Sequence, residues 1–279
     1  AVVLDPKPGI YINKPVAVLD YGSLYPSSMI EFNISHETIV TDEKYLGDSG
    51  KELLDKEGYD CKDISYDRFK TIFTASGTVK GKIKVGVNNV RFVQYRDNTK
   101  GLLPEILQYL LNTRKITRNK AKYKTIKTNY DTYIGLFNKD KKTVSTPENT
   151  YQFKDDEHII EIQDTCNEFK KQILDGFQLA YKVIANSVYG ALGAKTSDIY
   201  YKELAASTTA VGRERLLLAK NFALNENNYP QILNNGKTIY LKNEIIYGDT
   251  DSIFVHFQSL DNDGKPLNGR EARKKKYRI

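Results

Sequence analysis

The chain has 279 residues, 40% of them apolar, and a formal net charge of +7 from 42 Lys/Arg against 35 Asp/Glu. That length permits one large domain or two modest ones with an ordinary buried core. No run of 18 apolar residues occurs and no signal-peptide pattern opens the chain, so it reads as soluble, not secreted and without a membrane span. Cys61 and Cys166 are isolated, there is no CxxC pair, and histidines number three, which argues against a disulfide framework or a structural zinc site.

Along the chain, Pro15-Val16-Ala17-Val18-Leu19-Asp20 reads as a buried strand ending in a carboxylate. Pro26 breaks regular structure soon after, with a helix starting over residues 27–32 and a tight turn exposing Tyr25. Residues 41–99 are punctuated by glycines and read as short strands and loops, with hairpin-like alternation over 79–93. Pro104 opens a helical stretch with Ile106, Leu107, Leu110, Leu111 and Ile116 at partly helical spacing, uninterrupted by Gly or Pro until Gly135. A polar loop over 143–150 follows, then a second helical stretch over 156–191. Two long antiparallel helices joined by a polar tip fit this pattern. A third helix is predicted over 202–224. A hairpin then follows, with the β-formers Glu244-Ile245-Ile246-Tyr247 and Ile253-Phe254-Val255-His256-Phe257 flanking Gly248-Asp249-Thr250-Asp251-Ser252. The chain starts without Met and reads as a piece of something larger.

Charge is unevenly spread. Between Gly101 and Val144 there are ten Lys/Arg against three Asp/Glu, so the remainder is close to neutral. A local basic segment suits a phosphate-rich partner, although a solvated lysine face has the same signature. Within it, Arg114 and Arg118 are four apart and share a helical face, and arginine forks grip phosphate oxygens bidentately. Lys182, Asn186 and Tyr189 recur at i, i+4, i+7 as a polar stripe on an otherwise apolar or small-residue helix. The lysine offers a point charge to a phosphate, and Asn and Tyr offer groups for a sugar or base, while Gly190 permits close approach. The same stripe would also serve as an interhelical hydrogen-bond seam.

At the hairpin tip, Asp249 and Asp251 are two apart, and on extended backbone they would face one way. Two crowded carboxylates stay ionised most easily around a cation, and hard oxygen ligands suit Mg²⁺ or Mn²⁺. If Asp20 joins them, three carboxylates could hold two divalent ions, as in two-metal phosphoryl-transfer sites. A lone Gly-Asp-x-Asp is more often a solvated turn.

In order, these stretches resemble the motifs of family B DNA polymerases. Asp20-Tyr21-Gly22-Ser23-Leu24-Tyr25-Pro26-Ser27 resembles the family's DxxSLYPS, Lys182 to Gly190 its KxxxNSxYG, and Tyr247 to Ser252 its YGDTDS. Ser35-His36-Glu37-Thr38 is similar to a segment of polymerase delta-like members. The stretches around Leu174–Lys182 and Ala205–Arg213, and the start of the chain, look like versions from large DNA viruses of algae and protists.

The resemblance implies an α/β (α+β) fold: an antiparallel-sheet palm backed by helices, with an inserted pair of long antiparallel fingers helices. It divides the chain into palm (1–100), fingers (101–195) and palm again (196–279), with the family's exonuclease and thumb not represented. It implies template-directed addition of dNMP to a primer 3′-OH with two Mg²⁺ ions, for which Mn²⁺ could substitute. Asp20 and Asp251 would bridge the ions, Asp249 would be a weaker partner, and the Tyr21 carbonyl a further ligand. Ser23, Leu24 and Tyr25 would line the nucleotide site, with Tyr25 excluding a ribose 2′-OH. Arg114, Arg118 and Lys182 would hold the triphosphate. Asn186, Tyr189 and Gly190 would meet the nascent base pair, and Thr250 would shape the turn near the primer end. Lys276 and Tyr277 superficially resemble a later basic-Tyr motif of the family but stand much closer to Asp251 than the family places it.

Implied partners are primer–template DNA, dNTPs and a processivity clamp for the full-length protein. The implied setting is the nucleus or a cytoplasmic viral replication site. The alternatives are a catalytically inactive polymerase-like DNA-binding or scaffold protein, which would have no need of a like-charge cluster, and an RNA-copying polymerase, which typically carries two adjacent carboxylates after Tyr-x in place of Asp-Thr-Asp.

Overall fold

The computed structural model of the chain describes residues 3–11, 15–74, 77–225, 230–232 and 238–267; Lys276 and Tyr277 lie outside them. The strands and helices in chain order are β1 (Val3–Leu4), β2 (Val16–Asp20), α1 (Leu24–Phe32), α2 (Gly47–Lys56), β3 (Tyr59–Phe73), β4 (Val79–Tyr95), α3 (Leu102–Lys120), β5 (Lys124–Thr128), β6 (Thr132–Asn138), β7 (Thr143–Ser145), β8 (Thr150–Gln152), β9 (Ile159–Asp164), α4 (Glu168–Gly193), α5 (Lys202–Asn225), β10 (Gln231–Ile232), β11 (Thr238–Leu241), β12 (Glu244–Asp249), β13 (Ser252–His256) and β14 (Ser259–Leu260).

A four-stranded antiparallel sheet in the order β1-β12-β13-β2 carries the acidic motifs. Its register pairs Asp20 with Ser252 and Asp249 with Ser252, so residues more than 200 apart in sequence arrive at one sheet end. Helix α5 backs this sheet, packing Leu216 and Ala223 with Ile245, Ile253 and Val255. A larger core joins α1, α3, α4, α5 and the β3–β4 ribbon through Met29, Ile34, Phe92, Leu107, Leu192, Leu204 and Val211. Mixed helices and antiparallel sheets are the fold class the sequence implies.

Three local expectations are corrected. Residues 41–99 are not short strands and loops. They hold α2 and one long antiparallel ribbon, β3–β4, whose register runs from Tyr59↔Tyr95 to Phe73↔Val79. Two of the glycines that suggested breaks, Gly81 and Gly86, sit within it, tolerated with the register shifts at Arg68/Phe69 and Ile72/Phe73.

The helix opened by Pro104 ends at Lys120 rather than near Gly135, and the second helix starts at Glu168 rather than near residue 156. Between them the tip is no polar loop but a five-stranded antiparallel sheet, β8-β7-β6-β5-β9, with its own core of Ile126, Val144 and Phe153. Pairing of Lys124 with Asp164 returns the chain to where it left α3, which makes α3 and α4 antiparallel neighbours.

Pro26 does not prevent helix either. It lies in the first turn of α1, where its missing N–H has no intrahelical partner to lose.

The Ser35–Thr38 segment caps α3. Glu37 Oε1 accepts from the Leu102 N–H, Ser35 Oγ accepts from Leu103 N–H at 3.2 Å, and Asn33 Oδ1 accepts from Gly101 N–H at 2.7 Å. Partial burial pushes the Glu37 carboxyl up, but hydrogen bonds from Leu102 and Ser35 outweigh it and hold the group below the usual carboxylate range. An anion among free N–H groups at a helix start is favourable. This clamp fixes α3, with its arginines, to α1 and so to the loop after Asp20.

Candidate active site

A cavity of about 480 Å³ opens where the sheet end meets α1, α3 and α4. Asp20, Tyr21, Gly22, Ser23, Leu24, Tyr25, Arg114, Arg118, Lys182, Asn186, Tyr189, Thr250 and Asp251 line it. Acidic residues come from the sheet and basic ones from the helices, so opposite charges face each other across the space.

The acidic side is built by the β2–β13 pairing and by the hairpin tip. Tyr21 N–H donates to the Asp251 carbonyl at 2.8 Å, tying the end of β2 to the turn. Thr250 has φ 49°, the left-handed region, and this changes the aim of the two carboxylates. The period-two expectation assumed extended backbone through the tip. Instead Asp251 lines the cavity, while Asp249 stands outside the lining and its Oδ1 accepts the Thr250 hydroxyl at 2.8 Å.

Burial pushes the Asp251 carboxyl above the usual range, nearby Asp20 and Asp249 push it further, and Lys182 acts the other way. Among the described residues no group of three or more His, Cys, Asp or Glu is gathered closely enough to hold a metal by itself. The hard-oxygen pair Asp20 and Asp251 still fits a divalent cation, because like charges and partial burial on Asp251 are the conditions a cation relieves.

The basic side is carried by α3 and α4. Arg114 donates to Gln178 Oε1 at 3.3 Å and lies 3.5 Å from Ser23 Oγ, bridging both helices to the loop after β2. Arg114 and Arg118 also line a second cavity of about 230 Å³ with Leu111, Lys115, Asn119 and Lys122, so the basic surface continues beyond the first.

Tyr25 sits in the first turn of α1, half-buried, with its ring centroid 4.5 Å from that of Tyr189. Burial first, then Tyr189, Asp251 and Asp249, push the Tyr25 hydroxyl above its ordinary pKa, so it remains a neutral donor at neutral pH. Gly190 is exposed on α4 outside the cavity lining, and a Cβ there would meet nothing within 4 Å. Sequence reasoning did not single out Gly212. It is buried on α5 directly against the Tyr25 ring, and an isolated glycine inside a helical pattern is its one sequence signal.

An acidic sheet end opposed by a basic helix pair has the charge pattern that suits a phosphate-bearing ligand with a cation. The family comparison makes that class specific: the sequence profile of DNA polymerase family B matches residues 1–134 and 158–275, and the chain belongs to that family.

It is 46% identical over 267 residues to the DNA polymerase of Pyramimonas orientalis virus, covering 95% of this chain and 20% of that protein. It is 32% identical to the DNA polymerase of Phaeocystis pouchetii virus, over 98% of this chain and 23% of that protein. The DNA polymerase delta catalytic subunit of Drosophila melanogaster is 31% identical over 98% of this chain and 18% of its own length. The chain thus spans about a fifth of the relatives it matches. Among solved structures, the family B DNA polymerase of the archaeon Pyrobaculum calidifontis aligns at TM-score 0.44 and 24% identity, over 96% of this chain and 28% of that one.

Proposed function

We propose that this chain is the nucleotidyl-transfer part of a replicative DNA polymerase, adding dNMP from a dNTP to a primer 3′-hydroxyl under template direction. Residues 1–100 and 196–279 would be the palm and 101–195 the fingers. The observation that carries this reading is the convergence of Asp20, from the end of β2, and Asp251, from the turn before its partner β13, on a cavity faced by Arg114, Arg118 and Lys182. Family membership supports it.

Asp20, Asp251 and the Tyr21 carbonyl are the residues that would hold two Mg²⁺ ions, Mn²⁺ being a possible substitute, with Asp249 a weaker partner once its carboxyl leaves Thr250. Bound there, such ions supply acidity to the 3′-hydroxyl and charge neutralisation to the departing pyrophosphate. Arg114 and Arg118 grip the triphosphate with forked donors and Lys182 adds a point charge, stabilising the charge that builds on the phosphates. Ser23 and Leu24 line the bed of the sugar, and the Tyr25 ring bars a 2′-hydroxyl. Asn186, Tyr189 and Gly190 monitor the base pair, and Thr250 keeps the turn in shape beside the primer end. Inward rotation of α3 and α4 would assemble the basic side around a matched nucleotide only, using binding energy for fidelity. Primer–template DNA and dNTPs are the proposed partners, with a processivity clamp for the full-length protein, at the nucleus or a viral replication site.

The test is Asp251→Ala in the polymerase that carries this chain. Incorporation is expected to fall by about a thousandfold or more, because a side chain that would hold the charge-neutralising cations at the reacting atoms is lost, while primer–template affinity stays within about twofold. Turnover that survives the substitution removes Asp251 from the chemistry.

A further inference from the structure

Tyr25 is bounded by two helices. On α4 it meets a side chain, the ring of Tyr189 at 4.5 Å between centroids and 43° between planes. On α5 the residue directly against the ring is Gly212, with Arg213 next to it acting on the hydroxyl. A Cβ added at Gly212 would stand 2.9 Å from Tyr25 Cε1, 3.4 Å from Cδ1 and 3.3 Å from Leu24 Cδ2.

Gly212 is not among the glycines with positive φ, so its backbone has no need of glycine. Within a helix, glycine is a less stable choice than alanine. The space it leaves is therefore the feature that matters, and the Tyr25 ring fills that space. The side that would yield to a methyl group can also be named. Around Gly212, α5 is locked into the core by Thr208, Val211 and Leu216, all essentially unexposed. The Tyr25 ring, in contrast, borders the open cavity. A clash would drive the ring into the cavity rather than drive the helix away.

We infer that Gly212 is a positioning residue for sugar selection, setting how far the Tyr25 ring withdraws from the nucleotide cavity. The inference rests on reading that cavity as the dNTP site and Tyr25 as its 2′-hydroxyl barrier. Gly212 touches no substrate; it acts through the ring.

The experiment is single-nucleotide incorporation of dCTP and rCTP by the full-length polymerase carrying Gly212→Ala, Tyr25→Ala or both. With Gly212→Ala the ring encroaches on the sugar position. KM for dCTP rises about tenfold, the scale of one methyl group misplaced in a pocket, with kcat little changed, and the preference for dCTP over rCTP does not fall. With Tyr25→Ala alone, rCTP use rises. In the double variant no ring remains to be pushed, and adding Gly212→Ala shifts neither KM nor the dCTP:rCTP ratio.

If Tyr25→Ala leaves the ratio unchanged, the reading of the cavity fails and the role of Gly212 goes with it. If Tyr25→Ala admits rCTP but Gly212→Ala leaves KM unmoved, or raises it equally without the Tyr25 ring, the Gly212 inference alone is overturned. Should Gly212→Ala unfold the protein, the double variant should regain the melting temperature of Tyr25→Ala. A double variant as unstable as the single one also overturns the proposal.

Discussion

Arg91 shows how much of the scaffold one residue can hold. Its side chain is 6% exposed on β4, yet each of its nitrogens has a partner. Nε and Nη2 donate to Asp63 at 2.6 and 2.7 Å, and Nη1 donates to the carbonyls of Tyr45 and Gly47 at 2.7 and 2.8 Å. The ribbon is thereby fastened to the turn before α2. Arg91→Met should cost about 2 kcal/mol, since it leaves the carbonyls of Tyr45 and Gly47 without this donor. Asp63→Asn should cost about 1 kcal/mol, because Asp63 is half exposed.

The forked hydrogen bonds from Arg91 hold the Asp63 carboxyl below the usual carboxylate range, against a smaller upward push from burial. A depressed folded pKa gives stability that is present above the unfolded value of about 3.9 and is lost as pH falls through the folded value. Urea midpoints should therefore fall more steeply with acid for the wild type than for Asp63→Asn below about pH 4. Equal acid sensitivity would mean that the pair contributes nothing. None of this was legible in the sequence, because Arg91 and Asp63 meet only through the register of a long ribbon whose region read as short strands and loops. Asp20, Asp251 and Lys182 were legible because a charge and its spacing are written in the chain itself. The aim of Asp249 was not, since it depends on one left-handed residue, Thr250.

At the level of elements, α5 and the β12–β13 hairpin matched their expected bounds within a residue or two, each being a long run of one period. The sheet between α3 and α4 escaped notice because its strands are short and its core is non-local. Ile126, Tyr133, Val144, Tyr151 and Phe153 come from separate strands and their flanks. The family profile also breaks here, leaving residues 135–157 unmatched.

This sheet has its own polar lock. Glu157 is buried and accepts from Thr128 Oγ1 at 2.8 Å, Tyr151 OH at 2.9 Å and Lys154 N–H at 3.2 Å. With a core separate from the main one, it should open separately. Phe153→Ala should cost about 3 kcal/mol locally. Amide exchange should accelerate in β5 to β9 while protection around Leu107, Leu192 and Leu204 is unchanged. Uniform loss of protection across both regions would show that the two cores unfold as one.

Across the whole molecule, charge was legible as an amount but not as a place. Of the ten cations between Gly101 and Val144, Arg114, Lys115, Arg118 and Lys122 border the two adjoining cavities. Lys124 is paired with Asp164. Lys139, Lys141 and Lys142 sit at the β6–β7 turn, outside both cavities. Lys182 joins the first group from α4. In the proposed reading Arg114, Arg118 and Lys182 are committed to a triphosphate, which leaves Lys115 and Lys122 of this cavity group for duplex phosphates.

Affinity for DNA backbone scales with the number of phosphates neutralised, each adding about 0.9 to the magnitude of the slope of log K against log salt. The 279-residue chain by itself should therefore bind primer–template weakly, with a slope of about −3 to −5. Fluorescence anisotropy over a salt series reads that slope directly. A slope near −8 or steeper would require roughly nine neutralised phosphates, and would bring the β6–β7 lysines into the DNA path. Charge reversal at Lys139, Lys141 and Lys142 should then flatten the line, whereas under the present reading it leaves the slope unchanged.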